Sequence, residues 1–355
     1  MTFKEQPKKK PLTHIDIARL AKVNQSTVSR ALDPEQRHLI SAEVVERILS
    51  ISNQHGFKAN ILAQRLRRKK SNVIALMLPP DIFTPPQNLD FEVSNHLLPW
   101  QEVKGIMHEA LARNYDVQLL PSLDETVLSA EKLMDHLGFP HSDGVILSGL
   151  STGARTQGKL RAEQIPHLTT GVRADEAVFP LVACDQAPGI TAALLHLAGK
   201  GHQRVAFLSF ARDFATVRWG AERYQAFKAG LATLGMDSTD VEFSAVSIPE
   251  LRALVGTWIR RLPFTAVFCI NDMIAYRLIQ ELTMAGLRVP EDVAVVGFDN
   301  NPLFQAGPRA LSTVDLPLYD LGRRALGRLT DFIRNGETPA ASELLPSVFI
   351  ERKTT

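Results

Sequence analysis

A small all-α head carrying a helix-turn-helix, followed by a larger α/β body of two doubly wound parallel-sheet lobes, is the fold class this sequence predicts. Three observations predict it. Two short amphipathic helical segments separated by a tight turn occupy residues 13 to 32. From Asn72 onward, apolar runs of strand length alternate with helix-length amphipathic segments, the pattern of parallel sheets buried on both faces. The charge is also divided: residues 1 to 70 carry 15 Lys+Arg against 6 Asp+Glu, a formal +9, and the remainder carries 25 against 32, or −7.

At 355 residues the chain is too long for one ordinary domain and suggests two or three, and its 45% hydrophobic content suffices for sizeable cores. The formal net charge of +2 conceals the asymmetry. A cationic head is drawn to phosphate, and an acidic body keeps the rest from adhering to nucleic acid. Lys8-Lys9-Lys10 alone reads as a solvated tail. Cys184 and Cys269 both fall in apolar strand-like runs, which favours buried reduced thiols over a disulfide and fits a reducing compartment. With no apolar run of about 18 residues and no signal peptide, the expectation is a soluble, cytoplasmic protein with no membrane partner.

In the head, Thr13 with Asp16 three positions later reads as a helix N-cap with a carboxylate near the first-turn amides. Ile17, Ala18 and Ala21 share a face and Val23 closes the turn. A second helix starts at Asn24 with Val28 and Leu32 inward. A third, capped by Ser41, runs through Val44, Val45, Ile48, Leu49 and Ile51 to a stop at Gly56. In a helix-turn-helix the start of the second helix enters the major groove, so Gln25, Ser26, Ser29 and Arg30 are the candidates for base readout. Gln pairs with adenine and Arg with guanine in bidentate fashion, whereas Ser is permissive. Asn24, Thr27 and Ser29 are better placed for phosphates, with Thr13 and Lys22 as further phosphate candidates. An isolated stretch of this kind would be an ordinary polar surface helix. Its company, a third helix and then the basic segment Ala63-Gln-Arg-Leu-Arg-Arg-Lys-Lys70, argues otherwise. Residues 60 to 70 can form a helix of about two turns, too short to be stable alone in water.

In the body, strands are expected at Val73 to Leu78, Val117 to Leu120, Gly144 to Leu147, His167 to Thr170, Leu181 to Cys184, Val205 to Ser209, Ala266 to Ile270 and Val293 to Gly297. Helices are expected at 102 to 114, 126 to 137, 189 to 199, 219 to 235, 249 to 261 and 272 to 286. So many βα units argue two sheets, with ligand bound beyond the strands' carboxyl ends in the cleft between lobes.

Asp16, Ala18, Ala21, Val23, Thr27, Val28, Ser29 and Arg30 spell D-x-A-x-x-A-x-V-x-x-x-T-V-S-R, and Ala63 with Leu66 matches a hinge motif A-x-x-L. On these residues the head resembles that of the Lac repressor and purine repressor (LacI/GalR) family of bacterial transcription regulators. The resemblance implies a hinge that folds when two subunits sit on operator, with Leu66 wedged into the minor groove at a central CG step and Ala63 and Arg67 lining the groove. The sequence departs from the family at three places. Lys22 stands where the helix-helix turn usually has a glycine in left-handed conformation, a substitution costing on the order of 1 kcal/mol. Ala59 replaces a proline, and the loop Asp33 to Ile40 is about two residues longer than usual.

The body resembles the family's effector domain, related to periplasmic sugar-binding proteins. The matching pieces are Gly201-His202 with Val205, Asn271-Asp272-Met-Ile-Ala275, Val289 through Asn300, Leu311-Ser-Thr313 and Leu345-Pro346. The implied division is a basic tail 1–12, a DNA-binding domain 13–58, a hinge 59–71 and a two-lobed domain 72–355. One lobe would hold about 72–172 and 316–340, the other about 173–310 and 341–355. The family's effector contacts carry over to Arg223, Asn271 and Asp299, with Phe227 as an aromatic wall; a polar trio in such a cleft suits a sugar or related metabolite. Asp299 also reads, about equally, as a turn residue after a strand, and His202 as a cap.

These features imply a homodimeric repressor of a metabolic, carbohydrate-type operon that binds a near-palindromic double-stranded operator under effector control, with no cofactor. A dimer is expected over a tetramer because Glu351-Arg-Lys-Thr-Thr355 adds no heptad helix. Residues 79 to 100 exceed any usual βα loop and are expected to cover the cleft mouth, to extend the dimer contact, or to form a disordered excursion. An enzyme is disfavoured by the absence of phosphate-loop, dinucleotide, metalloprotease and nucleophile-elbow motifs. A ligand-binding protein without a DNA role is disfavoured by the head.

Overall fold

The computed structural model describes residues 12–33, 36–57, 69–83, 99–121, 137–149, 154–172, 181–209, 218–237, 242–244, 247–260, 264–307, 309–336 and 342–355. The hinge candidates Ala63, Leu66 and Arg67, most of the helix expected at 126 to 137, and residues 84–98 of the long loop lie outside the described residues. The chain divides into two compact units, Met1–Ser71 and Asn72–Thr355.

The first unit contains α1 (His14–Ala21), α2 (Gln25–Ala31) and α3 (Ala42–Gln54), with a short 3-10 turn at Arg37–Leu39. Thr13 and Asp16 form a reciprocal capping box: the Asp16 amide donates to Thr13 Oγ1 and the Thr13 amide donates to Asp16 Oδ2 at 2.9 Å. Lys22 ends α1 at φ 53°, ψ 46°, the left-handed conformation expected where glycine is usual. Asn24 and Ser41 occupy the N-cap positions of α2 and α3 without side-chain cap bonds. The core is small: Ile17, Ala18, Ala21, Val28, Ala31, Val45 and Ile48 are buried, with Leu32 and Phe57 packed against them. Gly56, at φ 60°, follows α3, and Phe57 closes the unit edge-on against His14.

The second unit contains two six-stranded sheets. The first contains β1 (Val73–Leu78), β2 (Asp116–Pro121), β3 (Gly144–Leu147), β4 (His167–Val172) and β5 (Leu181–Asp185), joined by β11 (Glu343–Pro346) in the order β11-β5-β4-β3-β1-β2, all parallel. The second contains β6 (Val205–Ser209), β7 (Glu242–Ser244), β8 (Ala266–Cys269), β9 (Ala294–Phe298), β10 (Ser312–Asp315) and β12 (Val348–Ile350) in the order β12-β10-β9-β8-β6-β7, parallel except for the edge strand β12. The helices are α4 (Pro99–Ala112), α5 (Ala154–Ala162), α6 (Ala187–Gly199), α7 (Arg218–Thr233), α8 (Ile248–Trp258), α9 (Asp272–Met284) and α10 (Leu318–Asn335). Each sheet begins 2-1-3-4, so each has its topological switch beside its first strand.

Strand pairing corrects the expected lobe limits. β5 pairs with β4 and β11 with β5, which puts residues 181–185 and 343–346 in the first lobe, whereas β10 at 312–315 belongs to the second. Any short apolar strand satisfies either sheet, so only pairing partners assign it. The chain therefore changes lobes after Asp185, after Asp315 and after Pro346. The three crossings meet at Gly189, where a Cβ would lie 2.7 Å from Ser347 Oγ and 2.5 Å from Val314 Cγ1.

The first lobe's core is aliphatic, built on Ile74, Leu76, Leu78, Ile106, Ile146 and Leu326. Its helices α4 and α10 touch backbone to backbone: a side chain at Gly105 would run into the Tyr319 carbonyl, and one at Gly322 into that of Glu102. The second lobe has an aromatic core in which Phe207, Phe227, Phe268 and Phe298 are fully buried. Cys184 and Cys269 are free and buried, and burial pushes the Cys184 thiol up to about 12. Among the described residues no helix is long and apolar enough to cross a membrane.

Candidate functional site

In the head, α2 has one buried face and one polar face. Val28 and Ala31 are fully buried, whereas Gln25, Ser26 and Arg30 are exposed and Ser29 is half-buried. The Asn24 side chain is exposed and makes no cap bond, so its amide is available to a phosphate. Lys22 is exposed and Thr27 half-buried. Thr13 differs from these: its hydroxyl donates to Asp16 Oδ2 at 2.7 Å and would have to leave the capping box to serve a phosphate. Arg37, from the longer loop, donates through Nε to the Ala31 carbonyl at 2.9 Å and so closes the carboxyl end of α2. Sequence reasoning had not singled it out.

In the body, Arg223, Asn271 and Asp299 come together in the second lobe. The β8–β9 register pairs Phe268 with Val296, and continued past the strand ends it sets Asn271 opposite Asp299. Arg223, from α7 after β6, is 3% exposed and anchored on all sides. Its Nε donates to Gln186 Oε1 at 2.8 Å, one terminal nitrogen donates to the Ile270 carbonyl, and the other lies 3.6 Å from Asp299 Oδ1. The guanidinium sits 3.4 Å from the centroid of the Phe298 ring. Burial lowers its pKa to about 10, while Asp299 and Asp272 oppose the shift. Burial likewise pushes Asp299 up to about 7, although Arg223 pulls the other way. Asp299 adopts φ 107° and Asn300 φ 50°, a left-handed pair at the carboxyl end of β9. Backbone strain of this kind concentrates at ligand sites.

Asn271 is 1% exposed and caps α9 by accepting from the Ile274 amide at 2.9 Å. Among the described residues its Nδ2 has no hydrogen-bond partner. A buried amide donor without an acceptor is unfavourable by about 1–3 kcal/mol, and a ligand hydroxyl would satisfy it. Phe227 is corrected: its ring is fully buried between Phe207 and Phe268, at centroid distances of 5.2 and 5.6 Å, where it packs the core and walls no pocket. The reason is how α7 docks: its face at Phe227 lies on β6 and β8, interior strands of the second sheet, so the ring is taken up by the core.

Two further residues complete the arrangement. Asp272 is buried and accepts from Thr313 Oγ1 and from the Asn301 amide, both at 2.6 Å. Burial and the nearby Asp299 raise its pKa well above the usual range. A side chain at Gly297 would collide with the Asp272 carboxylate, which accounts for that glycine. Gln186 sits at the first lobe crossing and holds Arg223. Their signal in the sequence was position alone, an Asp after Asn271 and a Gln just past a strand. Among the described residues no group of three His, Cys, Asp or Glu is placed to hold a metal ion.

A helix-turn-helix head joined to a two-lobed, doubly wound body with a polar site at its strand ends defines a DNA-binding regulator of the ligand-responsive type. The family described as bacterial regulatory proteins, lacI family, matches residues 14–60, and a periplasmic binding protein-like domain matches residues 194–355. The chain thus combines a LacI-family DNA-binding domain with a periplasmic-binding-protein-like domain, and it is a DNA-binding transcription regulator. It is 27% identical over 344 residues to the NTD biosynthesis operon regulator NtdR of Bacillus subtilis (strain 168), covering 96% of this chain and 98% of that one. It is also 27% identical to the ribose operon repressor of Halalkalibacterium halodurans, covering 96% of each. The fold matches that of the Lac repressor dimer bound to operator and the anti-inducer ONPF, with a TM-score of 0.76, 22% identity and coverage of 97% of this chain and 99% of that one.

Proposed function

We propose that this protein is a cytoplasmic, homodimeric repressor of a carbohydrate-type metabolic operon. It reads a near-palindromic operator through Gln25, Ser26, Ser29 and Arg30, and holds phosphates through Asn24, Thr27 and Lys22, with Thr13 at the edge of that set. The segment 59–71 is the hinge, with Leu66 in the minor groove between Ala63 and Arg67. A sugar-type effector binds between the lobes of 72–355 on Arg223, Asn271 and Asp299. The ribose operon repressor and the operator- and anti-inducer-bound Lac repressor support both halves of this reading.

The observation that carries it is the polar edge of α2, exposed at Gln25, Ser26 and Arg30 on a helix whose other face is buried, in a segment with a formal +9 charge. Such a surface meets a polyanion, and two copies related by a twofold axis meet a palindrome. Gel-shift titration against the DNA upstream of its own coding sequence tests it. Preference for a symmetric duplex over a scrambled one, together with release or tightening when sugars are added, is the expected result. Equal affinity for both duplexes at physiological ionic strength overturns it.

A further inference from the structure

Glu102 lies outside the Arg223–Asn271–Asp299 constellation and on the other lobe. It belongs to the first turns of α4 and is only 5% exposed. Its Oε2 accepts from Ser148 Oγ at 2.7 Å and its Oε1 from Thr170 Oγ1 at 2.6 Å. Ser148 directly follows β3 and Thr170 lies in β4, so the carboxyl sits toward the carboxyl edge of the first sheet, the edge at which doubly wound folds hold ligands. The contact of α4 with α10 at Gly105 and Gly322 fixes the helix that carries it.

Two neutral hydroxyls are its partners, and among the described residues no cation pairs with it. Burial raises its pKa, and the two hydroxyl bonds only partly oppose that. A carboxyl taken out of water without a counter-charge is unfavourable, and it persists where a ligand completes it. Its surroundings lead to the effector site. Thr170, which donates to Glu102, pairs with Val182 of β5, and β5 leads directly into Gln186, which accepts from Arg223 Nε. The unpartnered Asn271 amide, 1% exposed and opposite Asp299, marks the second-lobe side as a place for ligand oxygen.

We propose that Glu102 is a specificity-determining residue of the effector site, placed on the first lobe to receive an amino group on a polyhydroxylated effector. The inference rests on the reading of the inter-lobe region as a sugar-type site. An ammonium there would supply the missing counter-charge and bond the carboxylate oxygens directly, a charge-assisted contact roughly twice as strong as a neutral one. The hydroxyls of such an effector would meet Asn271 and Asp299 from the other lobe.

The test follows thermal unfolding of the full-length protein with D-glucose, D-galactose and the 2-, 3- and 6-amino-deoxy derivative of each. At least one amino sugar is expected to act at a concentration roughly tenfold below its parent. Glu102→Gln, of the same shape, is expected to erase that preference, with its unliganded melting and circular dichroism checking the fold. Thr170→Val removes one hydroxyl and leaves the acid, so the preference should survive it. Asn271→Ala should weaken amino and parent sugars alike. Equal action of amino and parent sugars, or a preference that survives Glu102→Gln, overturns the role of Glu102 and leaves the effector site standing. If none of the sugars shifts the unfolding midpoint, the sugar-type site and the inference fall together.

Discussion

The two candidate sites of this chain are built in opposite ways. In the head, Gln25, Ser26 and Arg30, proposed to read bases, are exposed on a helix held by a core of seven buried apolar residues. In the body, Arg223, Asn271 and Asp299 are buried and, apart from the Asn271 amide, engaged with protein partners. The partners differ accordingly. A duplex is large, rigid and dense in charge, so a reader needs solvent-facing donors and little depth. A small metabolite must be enclosed, and its contacts gain strength by replacing bonds in a low-dielectric interior. The head therefore loses function when its thin core fails, and the body when its charges are unbalanced.

The largest departure from that contrast should follow from leaving one buried charge alone. Arg223→Met strands Asp299 beside apolar rings and should lower the body's stability at pH 8 by about 3–5 kcal/mol. Adding Asp299→Asn should recover most of it. Denaturant titrations compare the two, and a single variant as stable as the double would mean that Asp299 carries no charge when folded.

Next in size, Ile48→Ala should remove about 2–5 kcal/mol from the head. That is comparable with the whole stability of a unit this small, so DNA binding should disappear while the body's calorimetric transition stays in place. One shared transition would erase the distinction between the two regions. Arg30→Ala should cost about 1–3 kcal/mol of discrimination in competition gel shifts. A uniform loss on matched and mismatched duplexes would instead assign Arg30 to phosphate.

A smaller change sharpens the head alone. Lys22→Gly relieves the left-handed residue after α1 and should stabilise the unit by about 1 kcal/mol, read by thermal unfolding. A further effect is in pH. Asp299 rises from an ordinary value of 3.8 to about 7 through burial. Below its unfolded value both states hold the proton; between 3.8 and about 7 the unfolded chain gives it up first, so the stability contributed by the neutral acid declines as pH rises and is gone above about 7. Asp299→Asn should flatten that decline, and a body that gains stability across the same interval would contradict it.

Much of the head was legible before the structure, because its determinants are local. The Thr13–Asp16 pair, the i and i+4 spacing of Val28 and Leu32, and the misfit of Lys22 at a left-handed position are each set within one or two turns. The eight expected body strands also form, since each is a short apolar run bounded by turns. The three-residue strands β7 and β12 and the polar strand Ser312–Asp315 were not singled out, because their pairing comes from neighbours. Phe227 shares a helix face with Arg223, and only the docking of α7 on β6 and β8 shows that its ring is taken up by Phe207 and Phe268. Glu102, between Gln101 and Val103, reads as an ordinary solvent-facing helical glutamate until α4 is docked on β3 and β4.

Periodicity, caps and charge distribution were enough to define a cationic three-helix head, a doubly wound body and the residue types at the strand ends. Each depends on contacts within a few residues, and a one-dimensional pattern records those. Lobe membership of β5 and β11, the anchoring of Arg223 by Gln186, and the burial of Glu102 and Asp272 depended on segments as much as 161 residues apart being packed together. Desolvation is set by everything that surrounds a group in space, so the state of a carboxyl follows from the assembled lobes and cannot be read from its neighbours in the chain.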